Sequence, residues 1–361
     1  MNDAAAKLFT FSTQLIGSSQ FPEGAWHASS GYPTYEYCWF RDSSYVAYAM
    51  DIAGEHEASQ RFHSWCFRII GEKLSQWEGY SSSALFIPEK HLIHTRYTHD
   101  GRAGEGFWEN HQLDGLGTWL WALQEHLEMT GDRIHKKKEQ DIIASLCRYL
   151  IRLWQYPCYD LWEEYGDNIH LYTLVSVYTG LQRAQQLVGG SYDKDLADIR
   201  AFIDKNMVVN GHYAKMTGDT RVDASALGLL VPYRYVHKDD EIFLKTLETI
   251  EKTIVCDRGV YRYSGDEFYG GGRWIIHSCW LGLNYIEIGA YKQAESIISW
   301  VLAQSDADFL LPEQNSEELQ APQRFPYWQA RWGSPAKPLL WSHAMYILLY
   351  TAAVKHGLLK R

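Results

Sequence analysis

Three glutamates carry the chemistry that this sequence offers. Glu163 and Glu164 close the hexapeptide YDLWEE at 159–164, and Glu313 follows Pro312 in LLPEQNS at 310–316. Two isolated carboxyl groups in aromatic surroundings are the minimum equipment for breaking a glycosidic bond. One protonates the leaving oxygen, and the other activates water or attacks the sugar. The aromatic setting of Glu163, between Tyr159, Trp162 and Tyr165, favours a desolvated carboxyl whose pKa is raised, as a general acid requires. The adjacent acids project differently if the backbone is extended or entering a helix, so one can react while its neighbour binds or caps. The competing reading is that both simply complement a helix N-terminus.

The elements that must position these groups are helical almost throughout. Ala294, Ile297, Ile298, Val301 and Leu302 recur at i, i+3, i+4, i+7 and i+8, and Ile142, Leu146, Leu150 and Trp154 recur every fourth residue. The pattern predicts about twelve helices, over 3–16, 42–53, 56–74, 112–128, 137–154, 171–188, 193–205, 223–232, 239–253, 274–287, 291–304 and 341–356. Strand-like alternation is scarce, although 259–263 can pair locally. Connections alternate in length: 17–41, 75–111, 155–170, 206–222, 254–273 and 305–340 are long, and those between them are short. Helices joined by short turns pack antiparallel, so every second connection lies at the same end. The long loops then share one face, where binding and catalytic residues concentrate. A closed ring of helical hairpins and an open helical solenoid both satisfy this alternation. No linker-like stretch divides the chain, and residues 1–361 read as one domain.

Each long loop carries its own candidates. In YPTYEYCWFRD (32–42), Arg41 and Asp42 sit where a helix begins. A donor-only guanidinium beside an acceptor-only carboxylate suits a vicinal diol, while Asp42 equally suits a helix cap. The loop around HTRYTHDGRAGEGFWENHQLDG (94–115) contains Trp108, a sugar platform or a core lid. His91, His94, His99 and His111 lie in or beside it without HExxH spacing or an accompanying carboxylate cluster, so no metal and no other cofactor is expected. In GVYRYSGDEFYGGGRW (259–274), Arg262 and Asp266 are polar candidates, or else a surface ion pair. The GGG run lacks the Lys-Ser/Thr of a phosphate loop, and its glycines suit close backbone approach to a ligand.

Composition narrows the partners. The chain has 361 residues, 46% of them hydrophobic, ample for a large core, and a net charge of −10 with no basic stripe, which argues against nucleic acid and anionic membrane surfaces. Its 15 Trp and 25 Tyr suit both a large core and the flat apolar faces of sugar rings. Cys38, Cys66, Cys147, Cys158, Cys256 and Cys279 form no CxxC. The N-terminal MNDAAAKLFTFSTQL is too polar for a secretory leader, and no apolar run approaches the ~20 residues of a membrane span. A reducing cytoplasm fits these features. No coiled-coil heptad marks an oligomer interface.

Taken together, YEYCWFRDSSYVAYAMD, WENHQLDGLGTWLWAL, CYDLWEE, VYRYSGDEFYGGGRW and LLPEQ followed by PLLWSH resemble the glucoamylase-like enzymes, family 15 of the glycoside hydrolases, over roughly 30–350. The resemblance implies an all-α (α/α)6 barrel and inverting, exo-acting hydrolysis of α-glucosidic bonds. An inverting pair of carboxyls stands about 6.5–9.5 Å apart, leaving room for water. It further implies Glu163 as general acid, Glu313 as general base and Glu164 as a sugar contact beside the cleaved bond. Arg41 and Asp42 correspond to the pair that holds the non-reducing-end glucose, and Tyr35 to a tyrosine near the catalytic water. Trp108 corresponds to a tryptophan packed by the acid, and Arg262 and Tyr263 to a substrate-contacting pair. The β-sandwich domain that precedes the barrel in bacterial members has no counterpart here, nor has a starch-binding module. The chain is similar to compact members acting on short isomalto-oligosaccharides. α-1,4 maltooligosaccharides and α,α-trehalose rank next as substrates, and a catalytically silent carbohydrate-binding barrel is the rival outside enzymes.

Overall fold

Amphipathic and fully buried helices alternate along this chain, and that alternation organises the molecule. The computed structural model describes residues 1–80 and 91–360. Its helices are α1 (Asn2–Ser18), α2 (Phe40–Ile52), α3 (His56–Tyr80), α4 (Asp114–Thr130), α5 (Lys137–Leu153), α6 (Leu171–Val188), α7 (Asp193–Asn206), α8 (Glu241–Thr253), α9 (Ile275–Glu287), α10 (Tyr291–Ala303), α11 (Phe325–Trp332) and α12 (Leu340–Lys355). Short two-residue strands pair 38–39 with 96–97, 208–209 with 212–213, and 255–256 with 259–260. The last of these is the local pairing expected near 259. No described helix is long and apolar enough to cross a membrane.

The chain divides into two units. One comprises Gln20–His27 and Tyr37–Met207. In it α2, α4 and α6 are buried nearly all round, whereas α5 buries one stripe, Ile143, Leu146, Cys147 and Leu150, and α7 buries Leu196, Ile199 and Ile203. A helix apolar all round belongs inside and a striped one outside. Accordingly α4 packs between α2 and α6, with α3, α5 and α7 against them. The α4–α6 crossing depends on glycine at two facing positions. A Cβ on Gly117 would stand 2.3 Å from the Ser176 carbonyl oxygen, and one on Gly180 would stand 2.7 Å from the Gly117 Cα.

The other unit comprises Met1–Ser19, Ala28–Glu36 and Val208–Arg361. Here α9 and α12 are the buried helices, continuous from Ile275 to Ile286 and from Leu340 to Tyr350. Around them α1, α8 and α10 bury single stripes, such as Ala5, Leu8, Ser12 and Ile16 on α1. Two expectations change. The helix predicted over 223–232 is a 3-10 turn, Ala224–Leu229, with Asp223 accepting from the Ser225 N–H; Gly228 and Pro232 leave no room for more. The loop predicted over 305–340 contains α11, whose sequence FPYWQARW has Pro in its first turn, aromatics in place of an aliphatic stripe, and no buried residue. The connection predicted over 75–111 begins later, because α3 runs to Tyr80, and its 81–90 portion lies outside the described residues.

Gly117→Ala should therefore destabilise the fold by about 1–3 kcal/mol or more, the usual range for overpacking. A lowered urea midpoint with unchanged slope would show it; an unaltered midpoint would mean that the α4–α6 backbones separate at no cost.

Candidate active site

In the first unit, three long connections meet at the N-terminal ends of α2, α4 and α6. The acid-bearing loop is a turn built on Asp160, which is 1% exposed. Its Oδ1 accepts from the backbone N–H groups of Trp162 (2.9 Å) and Glu164 (2.8 Å). The Glu163 N–H donates to the Asp160 carbonyl at 2.9 Å, and the Asp160 N–H to that of Glu164 at 3.1 Å. Inside this turn Glu163 takes φ +65° and Tyr165 φ +53°. Such left-handed conformations cost free energy in a non-glycine residue and persist only where the surroundings enforce them. Glu164 lends the turn its backbone, and its own side chain is half-buried.

The Glu163 Oε1 accepts from the Trp39 indole N–H at 2.7 Å and the Gln112 amide at 3.1 Å. The same Gln112 accepts from Arg41 Nη1 at 2.8 Å, and that nitrogen also reaches Asp114 Oδ2 at 3.0 Å. Asp42 Oδ2 lies 3.3 Å from Arg41 Nε. Burial raises the pKa of Glu163, opposed first by the Arg41 charge and then by hydrogen bonds from Trp108, Gln112 and Trp39. Burial also lifts Asp42 from 3.8 to about 6; Arg41 opposes the rise, and the neighbouring Glu163 and Asp114 charges add to it. Burial works against the charge on Arg41, yet Asp114, Asp42 and Glu163 together hold it protonated. Trp108 is half-buried with the Arg96 guanidinium 3.8 Å over its ring and Trp39 edge-on at 6.0 Å, so the cation covers one of its faces.

In the second unit, Glu313 is 2% exposed, and its Oε1 accepts from the Tyr35 hydroxyl at 2.8 Å. Its backbone is fixed on both sides. The Glu313 N–H donates to the Ala336 carbonyl, and its own carbonyl accepts from Ile275. The hydroxyl of Ser342 donates to the Pro312 carbonyl at 2.8 Å. The buried His343 accepts the Leu311 N–H at Nε2 (3.0 Å). Its proton therefore sits on Nδ1, which donates to Ser12 Oγ at 2.8 Å. Burial pushes the His343 pKa down to about 3, keeping that neutral tautomer. Tyr32 and Tyr269 share a short hydroxyl–hydroxyl bond, and burial raises Tyr32, with the Glu313 charge contributing in the same direction.

Arg262 and Asp266 are not a surface pair. Both are buried, and the guanidinium donates to the carboxylate in a bidentate fork at 2.8 and 2.5 Å. Tyr263 is buried with Lys215 Nζ 4.4 Å over its ring, and Lys215 in turn pairs with Asp223 at 2.8 Å. The glycines of the GGG run do allow close backbone approach, and what they approach is the chain itself. A Cβ on Gly271 would stand 2.2 Å from the Asp266 carbonyl oxygen, and one on Gly272 would stand 2.1 Å from that of Asn315. The Gly272 N–H donates to Gln314 Oε1.

Among the described residues, His91, His94, His99 and His111 do not assemble into a ligand set. His94 Nδ1 accepts the Arg96 N–H, His99 stacks on Phe21 at 4.4 Å, and burial pushes His111 down to about 4. Sequence reasoning missed Trp39, Gln112, Asp160 and His343. Trp39 and Gln112 do stand within the motifs YEYCWFRD and WENHQLDG, and His343 ends PLLWSH.

Known proteins resemble this chain in sequence and in fold. Residues 7–311 match the family Glycosyl hydrolases family 15. The chain is 33% identical over 354 residues to the isomaltose glucohydrolase of Kribbella flavida, covering 95% of this chain and 91% of that protein. A solved glycosidase variant in complex with glucose superposes with a TM-score of 0.91 at 32% identity, over 99% of this chain and 98% of that one. The Hormoconis resinae glucoamylase shares the fold at 16% identity, with a TM-score of 0.77 over 98% of this chain and 74% of that one. The fold class is all-α, that of the glucoamylase-like (α/α)6 barrels, and the chain belongs to family 15 of the glycoside hydrolases.

Proposed function

We propose that this enzyme hydrolyses α-glucosidic bonds at non-reducing ends with inversion, releasing β-glucose, and that its substrates are short α-1,6-linked isomalto-oligosaccharides such as isomaltose. Glu163 is the general acid and Glu313 the general base that activates water. The observation that carries the reading is the environment of Glu163: a carboxyl raised by burial, on a strained turn, with two donors fixed on one oxygen. A raised pKa favours the protonated form that a general acid needs, and the two fixed donors hold the group in one orientation. Tyr35 orients the Glu313 carboxylate. Arg41 and Asp42 hold the terminal glucose through adjacent hydroxyls, with Trp108, Glu164, Arg262 and Tyr263 as further sugar contacts. The Asp266 fork fixes the Arg262 guanidinium in a single orientation. The choice of isomaltose rests on the 33% identity to a protein of that activity over 95% of the chain. The six cysteines are free thiols, which suits a cytoplasmic enzyme.

Glucose release from isomaltose, maltose, trehalose and dextran tests the linkage, and proton NMR of the first product tests the stereochemistry. β-Glucose, fastest from isomaltose, is expected. α-Glucose as first product would overturn inversion, and preference for trehalose or maltose would overturn the substrate. Glu163→Gln and Glu313→Ala should each lower kcat by at least about 10²–10⁴-fold with the fold retained; near-normal turnover in either variant refutes its role.

Because the Trp39 indole stabilises ionised Glu163, Trp39→Phe should raise the pKa of that acid. Activity falls as pH rises through this pKa, so the alkaline limb of the kcat/KM profile should move to higher pH.

The Asp42 pKa, raised in the folded state, makes its charge a cost to folding. The cost is absent below the unfolded value near 3.8 and complete above about 6. Asp42→Asn should thus stabilise the protein at pH 8, by an amount on the order of 1–3 kcal/mol, and scarcely at pH 4, while impairing glucose release. Denaturation midpoints of variant and parent at the two pH values measure this; equal gains at both would exclude a charge effect.

A further inference from the structure

Helices α2 and α4 are tied together at both ends. At their N-terminal ends Arg41 pairs with Asp114. At the other end, in the last turn of α2, Asp51 has a fully buried carboxylate that faces two imidazoles. Its Oδ1 lies 2.8 Å from His56 Nδ1 and 2.9 Å from His126 Nδ1, and its Oδ2 lies 3.1 Å from His126 Nδ1. The turn between α2 and α3 creates this convergence. Gly54 takes φ +89°, and the Glu55 N–H donates to the Met50 carbonyl at 2.8 Å, which brings His56, the first residue of α3, back onto Asp51. Gln60 and His63 follow on the same face of α3, four and seven residues on. Gln60 Oε1 stands 3.2 Å from His126 Nε2, and the His63 ring lies 5.0 Å from that of His126.

Proton accounting makes this cluster unusual. An ionised carboxylate only accepts, so each Nδ1 facing Asp51 must carry a proton if the contacts are hydrogen bonds. The Nε2 of His126 also faces an acceptor, since the Gln60 amide nitrogen is turned toward Ser64 Oγ at 3.4 Å. With the Gln60 amide in this orientation, satisfying every contact with protons alone places a second proton on His126, whose side chain is 2% exposed. It would lie against His63, itself buried, whose ring nitrogens have no hydrogen-bond partner among the described residues. A divalent cation removes the conflict. It replaces both Nδ1 protons, each imidazole becomes neutral, and the His126 Nε2–H donates to Gln60. A ligating histidine whose other N–H is held by a carbonyl oxygen is the usual outer-shell arrangement of metal sites.

We propose that Asp51, His56 and His126 bind one divalent transition-metal ion, zinc by the character of the donors. Two neutral imidazoles and one carboxylate are a common zinc set. The three ligand atoms lie within 4.8 Å of one another. Tetrahedral bonds of about 2.0 Å need them about 3.3 Å apart. The His56 side chain, 41% exposed, has the freedom to make that adjustment. The site opens on a depression of about 400 Å³ whose lining includes His56, Glu57, Gln60, Arg61, His126 and Asp132, from which water supplies the fourth ligand. Asp51 is ten residues along α2 from Arg41, about 15 Å at 1.5 Å per residue. The ion therefore acts on the stability of the α2–α3–α4 corner rather than on a sugar held at Arg41.

The test uses the full chain without a histidine tag, treated with chelator and dialysed, then titrated with Zn²⁺ by calorimetry and with Co²⁺ by visible absorption. One ion per chain is expected, with the intense d–d bands of four-coordinate Co²⁺ and a higher melting temperature on adding Zn²⁺. His56→Ala, a change at a half-exposed helix start that leaves the fold intact, should abolish the bands and the thermal shift. Gln60→Leu should weaken Zn²⁺ binding about 10–100-fold. Absence of binding by the parent protein would overturn the proposal and leave an imidazolium–aspartate pair. Equal binding by His56→Ala would overturn it by placing the ion elsewhere.

Discussion

The Arg41 guanidinium is the interaction on which the surroundings of Glu163 depend. It is buried at the start of α2, against a helix dipole that disfavours cations there, and three carboxylates surround it: Asp42, Asp114 and Glu163. None of these charges would be tolerable alone at such depth, because an isolated buried ion costs several kcal/mol in lost hydration. Together they are mutually dependent. Arg41 fastens α2 to α4 through Asp114 and reaches the acid loop through Gln112. Burial keeps the pKa values of Asp42 and Glu163 raised even against the Arg41 charge, so the guanidinium that holds the helices together also moderates how far those groups retain protons.

The two carboxyls proposed for catalysis are held in contrasting ways. Glu163 sits on a turn with positive φ at two non-glycine residues, enforced by one buried aspartate accepting two backbone N–H groups. Its orientation comes from side-chain donors, Trp39 and Gln112. Glu313 lies in a loop held from the side by backbone bonds to Ala336 and Ile275 and, through Leu311 and Pro312, by the His343 and Ser342 side chains of α12. The first arrangement stores strain, which survives only where surrounding contacts over-determine it. The second is rigid because α12 is buried on every side, leaving His343 a single tautomer.

Much of this protein is legible in its order of residues. The stripes of α5, α7, α8 and α10 are local facts of spacing. The alternation of long and short connections predicts where functional loops gather, and in each unit long loops do meet at the ends of buried helices. Glu163 and Glu313 stand out because carboxyls beside Trp or Pro in long loops have few structural reasons to be there. Helix α11 escaped because its apolar residues are aromatic rather than aliphatic and its first turn contains proline, so no aliphatic periodicity marks it.

Tertiary structure alone decided the rest, for one physical reason: the energy of a buried polar group depends on partners that sequence spacing does not reveal. Trp39 and Gln112 are an ordinary tryptophan and glutamine until folding brings them to one oxygen of Glu163. Arg262 and Asp266 read equally well as a surface pair until burial makes them a fixed fork. Asp51 and His126, 75 positions apart, look like scattered surface residues of two helices, yet they share a buried carboxylate–imidazole contact. Periodicity and loop placement follow from contacts between neighbours along the chain and can be read from it directly. Charge state, tautomer and strain follow from desolvation, which exists only once distant segments have closed over these groups.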